Sequence, residues 1–130
     1  MRLEWYCLLD GPRFSPKLAQ ARTGLVLKNP REPGEVASSG RYRGQPLPYG
    51  RATLELQGEL ADGRFVPGDE TLRELETKLP ELRAAGATDI RLHLLVAYKG
   101  QCNLEFSSDE LSKLAGLGVP LTMSCYEEQE

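Results

Sequence analysis

Residues 101–128 read QCNLEFSSDELSKLAGLGVPLTMSCYEE, and the fold prediction starts from this stretch. Its first residues alternate between apolar and polar, as they do in a half-buried strand. Ser107, with Glu110 three residues later, is a capping-box signature, so a helix is expected to begin there. Apolar residues alternate again beyond Gly118, and the stretch therefore predicts a strand, a helix and a second strand.

The preceding segment extends this pattern toward the N-terminus. Apolar side chains alternate over a predicted long strand, at Ile90, Leu92, Leu94, Val96 and Tyr98. Lys99-Gly100 reads as a tight turn into the strand of residues 102–106. The sequence therefore predicts a β-hairpin here, with a last strand running from Val119 to Cys125 whose apolar side chains point inward.

The N-terminal half contains further strands and helices. Residues 2–9 alternate as a half-buried strand, and Ser15-Pro16 predicts a short helix that ends at Gly24. Residues 25–27 and 51–60 read as strands, with a turn at Asp62-Gly63. A longer helix is predicted from Asp69, with one apolar stripe at Leu72, Leu75, Leu79 and Leu82. Pro80 is expected to kink or restart that helix, and Gly86 to follow its end.

Two segments share a weak internal pattern of Phe-Ser, a short helix, a glycine and an apolar strand. They are PRFSPKLAQARTGLVL near the start and LEFSSDELSKLAGLGVPL near the end. Two such units around a shared sheet favour an α+β fold, with an antiparallel or mixed sheet and helices packed on one face. A ferredoxin-like variant is one form of this prediction. The length of 130 residues predicts a single domain over residues 1–130.

Composition favours a cytoplasmic protein without a membrane segment. No apolar run reaches the roughly 18 residues that a membrane span needs. The N-terminal stretch MRLEWYCLLD is interrupted by Glu4 and lacks a cleavage site, so it does not read as a signal peptide. Three widely spaced cysteines predict reduced thiols, and all three fall on inward positions of predicted strands.

Residues 28–50, KNPREPGEVASSGRYRGQPLPYG, form a predicted long loop rich in proline and glycine. Residues 28–51 carry five basic and two acidic side chains, whereas residues 52–130 carry seven basic and fifteen acidic ones. Arginine and tyrosine are enriched in binding hot spots. Arg41, Tyr42, Arg43 and Tyr49 are therefore the predicted partner contacts of the loop.

The sequence carries no pattern that indicates a catalytic, metal or cofactor site. His93 lacks a neighbouring nucleophile, and the cysteines lack the close pairs of a zinc site. The carboxylates at the predicted helix starts are explained by capping and by the helix dipole. No phosphate-binding loop or dinucleotide fingerprint is present, and the sequence pI near 5.3 argues against nucleic-acid binding.

The C-terminal half resembles a family of small bacterial proteins classed as a domain of unknown function. The shared pattern falls on Leu104, Ser107, Leu111, Leu114, Ala115, Leu117, Gly118 and Tyr126. The family's usual tryptophan after the loop is replaced here by Ala52-Thr53-Leu54. The resemblance supports the fold and implies no catalytic residues. By analogy, small acidic proteins of this kind occur as immunity proteins beside bacterial toxins.

The leading hypothesis is a non-enzymatic protein-binding protein, an immunity-type antidote that occludes a toxin or effector domain. Contacts come either from the loop or from an acidic patch predicted at Asp69, Glu70, Glu74, Glu127 and Glu128. The alternative is a small-ligand or regulatory module, with an enzyme that uses His93 and carboxylates as a third hypothesis. The protein is expected to be a monomer, or a homodimer joined through an exposed strand edge.

Overall fold

The computed structural model describes residues 1–61 and 64–129, so the predicted turn at Asp62-Gly63 lies outside the described residues. The chain contains seven strands and three helices within the described residues. In order they are β1 (Arg2–Gly11), α1 (Pro16–Thr23), β2 (Lys28–Arg31), β3 (Gly50–Glu55), β4 (Gly58–Ala61), β5 (Arg64–Pro67), α2 (Asp69–Ala84), β6 (Asp89–Tyr98), α3 (Ser108–Ala115) and β7 (Leu121–Glu127).

Five strands form one mixed sheet in the order β2-β3-β1-β6-β7, while β4 and β5 pair as a separate antiparallel hairpin. Strand β2 is antiparallel to β3, and β7 is parallel to β6. The predicted α+β class with a mixed sheet is confirmed. The ferredoxin-like variant and the packing of all helices on one face stay predictions.

The chain divides into two compact units. The first unit comprises Met1–Tyr6, Leu56–Thr77 and Arg91–Glu130, and the second comprises Cys7–Glu55 and Lys78–Ile90. Each unit has its own buried apolar residues, for example Trp5 and Leu94 in the first, and Phe14 and Leu82 in the second. The single domain over residues 1–130 stays a prediction.

The prediction of a β-hairpin that begins with β6 is wrong. Residues 101–107 form no strand, and β6 pairs instead with β7, so the C-terminal segment is a strand–helix–strand unit of β6, α3 and β7. Local alternation cannot choose between two candidate neighbours for the same strand edge. Here β1 and β7 take the two sides of β6, which leaves residues 102–106 no edge on which to pair.

The inward-facing last strand is also a wrong prediction. Strand β7 is half-buried only at Leu121 and Thr122 and is exposed from Met123 to Glu127. It is the last strand of its sheet, so one of its edges has no strand beside it within the described residues. An alternating strand can therefore be correctly located by sequence and still lie largely in solvent.

Local signals located the helix starts correctly. Ser15 precedes α1 and accepts a hydrogen bond from Leu18 N, and Gly24 ends that helix in the left-handed region at φ 74°. Ser107 and Glu110 form the predicted capping box of α3. The predicted restart at Pro80 does not occur, because α2 continues through it from Asp69 to Ala84.

Between residues 25 and 60, the strands lie at different positions from those predicted. Residues 25–27 are not a strand, because Leu25 N and Leu27 N donate to the side chains of Thr23 and Gln20 at the end of α1. The strand β2 forms one step later, over Lys28–Arg31, inside the region predicted as loop. The predicted strand of residues 51–60 is divided between β3, which ends at Glu55, and β4, which begins at Gly58.

Candidate functional site

Four side chains of the second unit form a row on the loop of residues 32–49 and the start of β3. The rings of Tyr42 and Tyr49 meet edge to face, with centroids 6.0 Å apart. The Arg41 guanidinium lies 5.5 Å from the centroid of Tyr42, and that of Arg51 lies 4.7 Å from the centroid of Tyr49. Both distances are within cation–π range. We call Arg41, Tyr42, Tyr49 and Arg51 the Arg–Tyr row.

The loop that presents this row is folded back on itself by backbone hydrogen bonds. Gly34 N donates to Leu47 O and Leu47 N donates to Glu35 O, both at 2.8 Å. Ala37 pairs with Arg43 as an isolated bridge, and Gly44 adopts φ 77°, which favours glycine. The loop therefore has a defined conformation, in which Leu47 is 7% exposed.

Arg51 is held in place from its other side. Its guanidinium forms an ion pair with the Asp10 carboxylate at 3.0 Å, which directs it along the ring of Tyr49. Arg51 was not among the predicted contacts, because it follows the loop in sequence and its partner Asp10 is far away along the chain. Arg43 was predicted as a contact; it is exposed but does not join the row.

The five acidic residues predicted as partner contacts lie on α2 and at the C-terminal end of β7, and the acidic patch stays a prediction. Asp69 lies at the start of α2, where its carboxylate pairs with Lys113 at 2.9 Å, and Glu70 and Glu74 are exposed on the same helix. Glu127 and Glu128 line a small cleft together with Lys99 and Gly100. Glu128 is also paired with Arg2 at 2.9 Å.

A cleft of about 310 Å³ opens in the first unit. Its apolar lining comes from β1, the β4–β5 hairpin, α2, α3 and the segment before α3, and consists of Trp5, Val66, Pro67, Leu72, Phe106 and Leu114. The rings of Trp5 and Phe106 meet edge to face at 5.8 Å. Trp5 Nε1 donates to Phe65 O at 2.7 Å, which holds the hairpin against the strand.

The polar lining of this cleft is acidic on balance. Glu59, Asp69 and Glu110 contribute carboxylates and Lys113 contributes a cation. Lys113 is paired with Asp69, and Arg64 at the edge of the cleft is paired with Glu110, so Glu59 carries the excess negative charge. Lys113 donates hydrogen bonds to the carboxylates of Asp69 and Asp109, which raise the pKa of Lys113 and keep its ammonium group protonated. The hydrogen bond from the Ser107 backbone and the one from Arg64 lower the pKa of Glu110, which keeps that carboxylate ionised. No signal in the sequence marks this cleft, since its members come from five separate segments.

The remaining reactive side chains are those of His93 and the three cysteines. His93 Nδ1 lies 2.6 Å from Thr122 Oγ1 on the neighbouring strand. Cys7 is buried, and burial raises the pKa of its thiol to about 12. The prediction that all cysteines face inward is wrong for Cys125, which is exposed on β7, while Cys102 is half-buried.

Two further findings concern metal ligation and membranes. Among residues 1–61 and 64–129, no three His, Cys, Asp or Glu side chains gather closely enough to hold a metal ion. Over the same part of the chain, no helix combines the length and apolar character needed to cross a membrane.

Comparison with models of protein families, with curated proteins and with solved structures finds no match for this chain. The resemblance to a small bacterial family stays a hypothesis.

Proposed function

We propose that this protein is a non-enzymatic binding protein that recognises a protein partner through the Arg–Tyr row. The observation that carries the proposal is the pairing of Tyr42 with Tyr49, with the guanidinium groups of Arg41 and Arg51 on the two rings. Buried aromatic and arginine anchors dominate the energetics of protein interfaces. This row joins both residue types in one small area, in which the two arginines are exposed and the two tyrosines are half-buried.

The conformation of the row before binding favours affinity. The row stands on a loop closed by backbone hydrogen bonds, and Asp10 restrains Arg51. Association normally costs about 0.5–1.5 kcal/mol for each long side chain that becomes immobilised. Part of that cost is already met where a ring or a carboxylate holds a guanidinium in place.

The charge of the region around the Arg–Tyr row indicates which kind of partner surface it would bind. Residues 28–51 carry five basic and two acidic side chains, so the row stands in a basic region of an acidic chain. An acidic face of a partner complements it, and opposite charges raise the rate of encounter. The immunity-type antidote is the narrower form of this proposal, in which the partner is a toxin or effector domain and occlusion is the mechanism.

The experiment compares three baits in affinity capture from lysate of the source organism. They are the wild type, Arg41→Glu/Tyr49→Ala, and the control Arg13→Glu, which alters an exposed arginine outside the row. A protein that co-elutes with wild type and control but is lost with the row variant supports the proposal. Equal capture by all three baits removes the row as the binding surface. Growth rescue on co-expression with the captured protein then tests the antidote form.

A second candidate function is favoured by the cleft of the first unit. Its aromatic lining and its excess of carboxylates suit a flat apolar molecule that carries one positive charge. The test is the shift in melting temperature with a panel of aromatic amines and their neutral analogues. Glu59→Gln and Phe106→Ala should each abolish a shift that Glu70→Gln retains. Equal shifts with amines and neutral analogues would contradict the assignment of charge.

A further inference from the structure

Strand β7 leaves one backbone edge open. Leu92 N donates to Pro120 O, and Glu128 N donates to Tyr98 O, so the even-numbered residues of this segment direct their backbone groups toward β6. Backbone groups alternate between the two sides of a strand. The amides and carbonyls of Leu121, Met123, Cys125 and Glu127 therefore point away from β6. No strand pairs with them within the described residues.

The two edge strands of the sheet differ in how they are protected against pairing. Strand β2 carries Lys28, Pro30 and Arg31 in its four residues, which are the features that block association at a sheet edge. Strand β7 has neither a charge nor a proline from Leu121 to Tyr126. An unprotected apolar edge is a template for another strand.

The side chains of β7 are those expected of a strand that a partner covers. Met123 is in register with Leu94, and Cys125 with Val96, so they continue the buried apolar row of β6. Leu94 and Val96 are completely buried, whereas Met123 is 52% exposed. The apolar face of the sheet thus extends onto β7 and remains open to solvent there.

We propose that a second copy of this chain pairs with β7 in antiparallel orientation about a two-fold axis at Ser124. This register sets Met123 opposite Cys125 of the second copy, and Leu121 opposite Glu127 of the second copy. The backbone groups of all four outward residues then find partners, because each meets a residue that also points outward. No two like charges lie opposite each other, since the one charged residue of the strand faces a leucine.

Self-complementarity is the argument for a second copy as the occupant. A two-fold axis makes the same patch serve both sides of an interface. Strand β7 meets that requirement in sequence, in charge and in the direction of its backbone groups. This surface shares no residue with the Arg–Tyr row, so the dimer and the proposed partner binding can be tested separately.

The first test is disulfide trapping in a Cys102→Ser/Cys125→Ser background, which retains the buried Cys7. Ser124→Cys places the two thiols at a directly opposed pair with Cα atoms about 4.5 Å apart, within disulfide range. Thr122→Cys is the matched control, because its two copies would stand about 14 Å apart along the strands. Mild oxidation should give a covalent dimer with Ser124→Cys and little with Thr122→Cys. Equal trapping of both variants would contradict the register.

The second test measures mass in solution by sedimentation over a concentration series. The wild type should reach twice the chain mass of 14.4 kDa. Met123→Lys should weaken the dimer about tenfold or more, because it places charge on the pairing edge. Val26→Lys, at a 78% exposed position outside β7, should leave the dimer unchanged. A wild type that stays monomeric at high micromolar concentration, or a dimer that tolerates Met123→Lys, would overturn the proposal.

Discussion

The guanidinium of Arg64 donates to the carboxylate of Glu110 at 2.9 Å and so joins the β4–β5 hairpin to α3. Both side chains are largely covered, with 19% and 20% of their surface exposed. The same guanidinium lies 5.2 Å from the ring centroid of Phe106, at the edge of the cleft. Glu110 thus serves both the capping box of its own helix and a contact between distant segments.

We predict that Glu110→Gln lowers the free energy of unfolding by about 1–2 kcal/mol at neutral pH. The substitution weakens a helix cap and a charge-assisted hydrogen bond. The folded pKa of Glu110 is lowered by the Ser107 backbone and by Arg64. A lowered pKa contributes stability above the ordinary value of 4.5, and this contribution is lost as pH falls through the folded value. The difference between wild type and variant should therefore shrink in acid.

Urea unfolding of both proteins from neutral to acidic pH measures this difference. Glu76→Gln is the control, because Glu76 is exposed in the middle of α2 and no hydrogen bond to its side chain is found among the described residues. It should change the free energy of unfolding by less than about 0.5 kcal/mol. A Glu110→Gln effect that stays constant across the acidic range would show that charge does not contribute.

Gly50→Ala should destabilise the protein strongly. A methyl group at Gly50 would overlap the carbonyl oxygen of Phe14, and that oxygen belongs to the backbone and cannot turn aside. Gly24→Ala tests the cost of backbone strain instead, since space is open around Gly24 but its φ is 74°. We expect roughly 1 kcal/mol at Gly24 and clearly more at Gly50. Thermal unfolding of the two variants would reveal a wrong assignment if Gly50→Ala were the milder change.

Leu94→Ala should cost about 2–5 kcal/mol in the free energy of unfolding, because Leu94 is completely buried in β6 and truncation leaves a cavity. Val26→Ala, at a 78% exposed position, should change that free energy by less than about 0.5 kcal/mol. Chemical denaturation compares the two variants. Similar losses at both positions would contradict the assignment of Leu94 to the core.

The three cysteines should react differently with iodoacetamide. The thiolate is the reactive form, and burial raises the pKa of Cys7 to about 12. Mass spectrometry of the native protein should show adducts on Cys125 and Cys102 and none on Cys7. All three should react after denaturation. Rapid native labelling of Cys7 would indicate that its strand opens readily.

Much of the local structure could be predicted from sequence because its causes are local. The Ser107–Glu110 capping box and the Ser15 cap need contacts only three residues away. Alternation in β1 correctly identified Leu3 and Leu9 as buried, since a strand turns every second side chain to the same face. The α+β class followed from the order of such elements.

The candidate sites depended on contacts that sequence does not encode locally. Tyr42 was a predicted contact, but its place between Arg41 and Tyr49 depends on the folded path of the loop. The partner of Arg51 is Asp10, from the end of another strand. The cleft escaped prediction because it combines side chains from five segments.

The sequence by itself determined where most helices and strands begin and which of their faces are apolar, because propensity, capping and periodicity act within a few residues. Only the tertiary structure decided that residues 102–106 form no strand and that β7 takes the free side of β6. Strand pairing is a competition for edges between segments far apart in the chain. That competition also left Met123 and Cys125 in solvent, although their alternation is that of a buried strand.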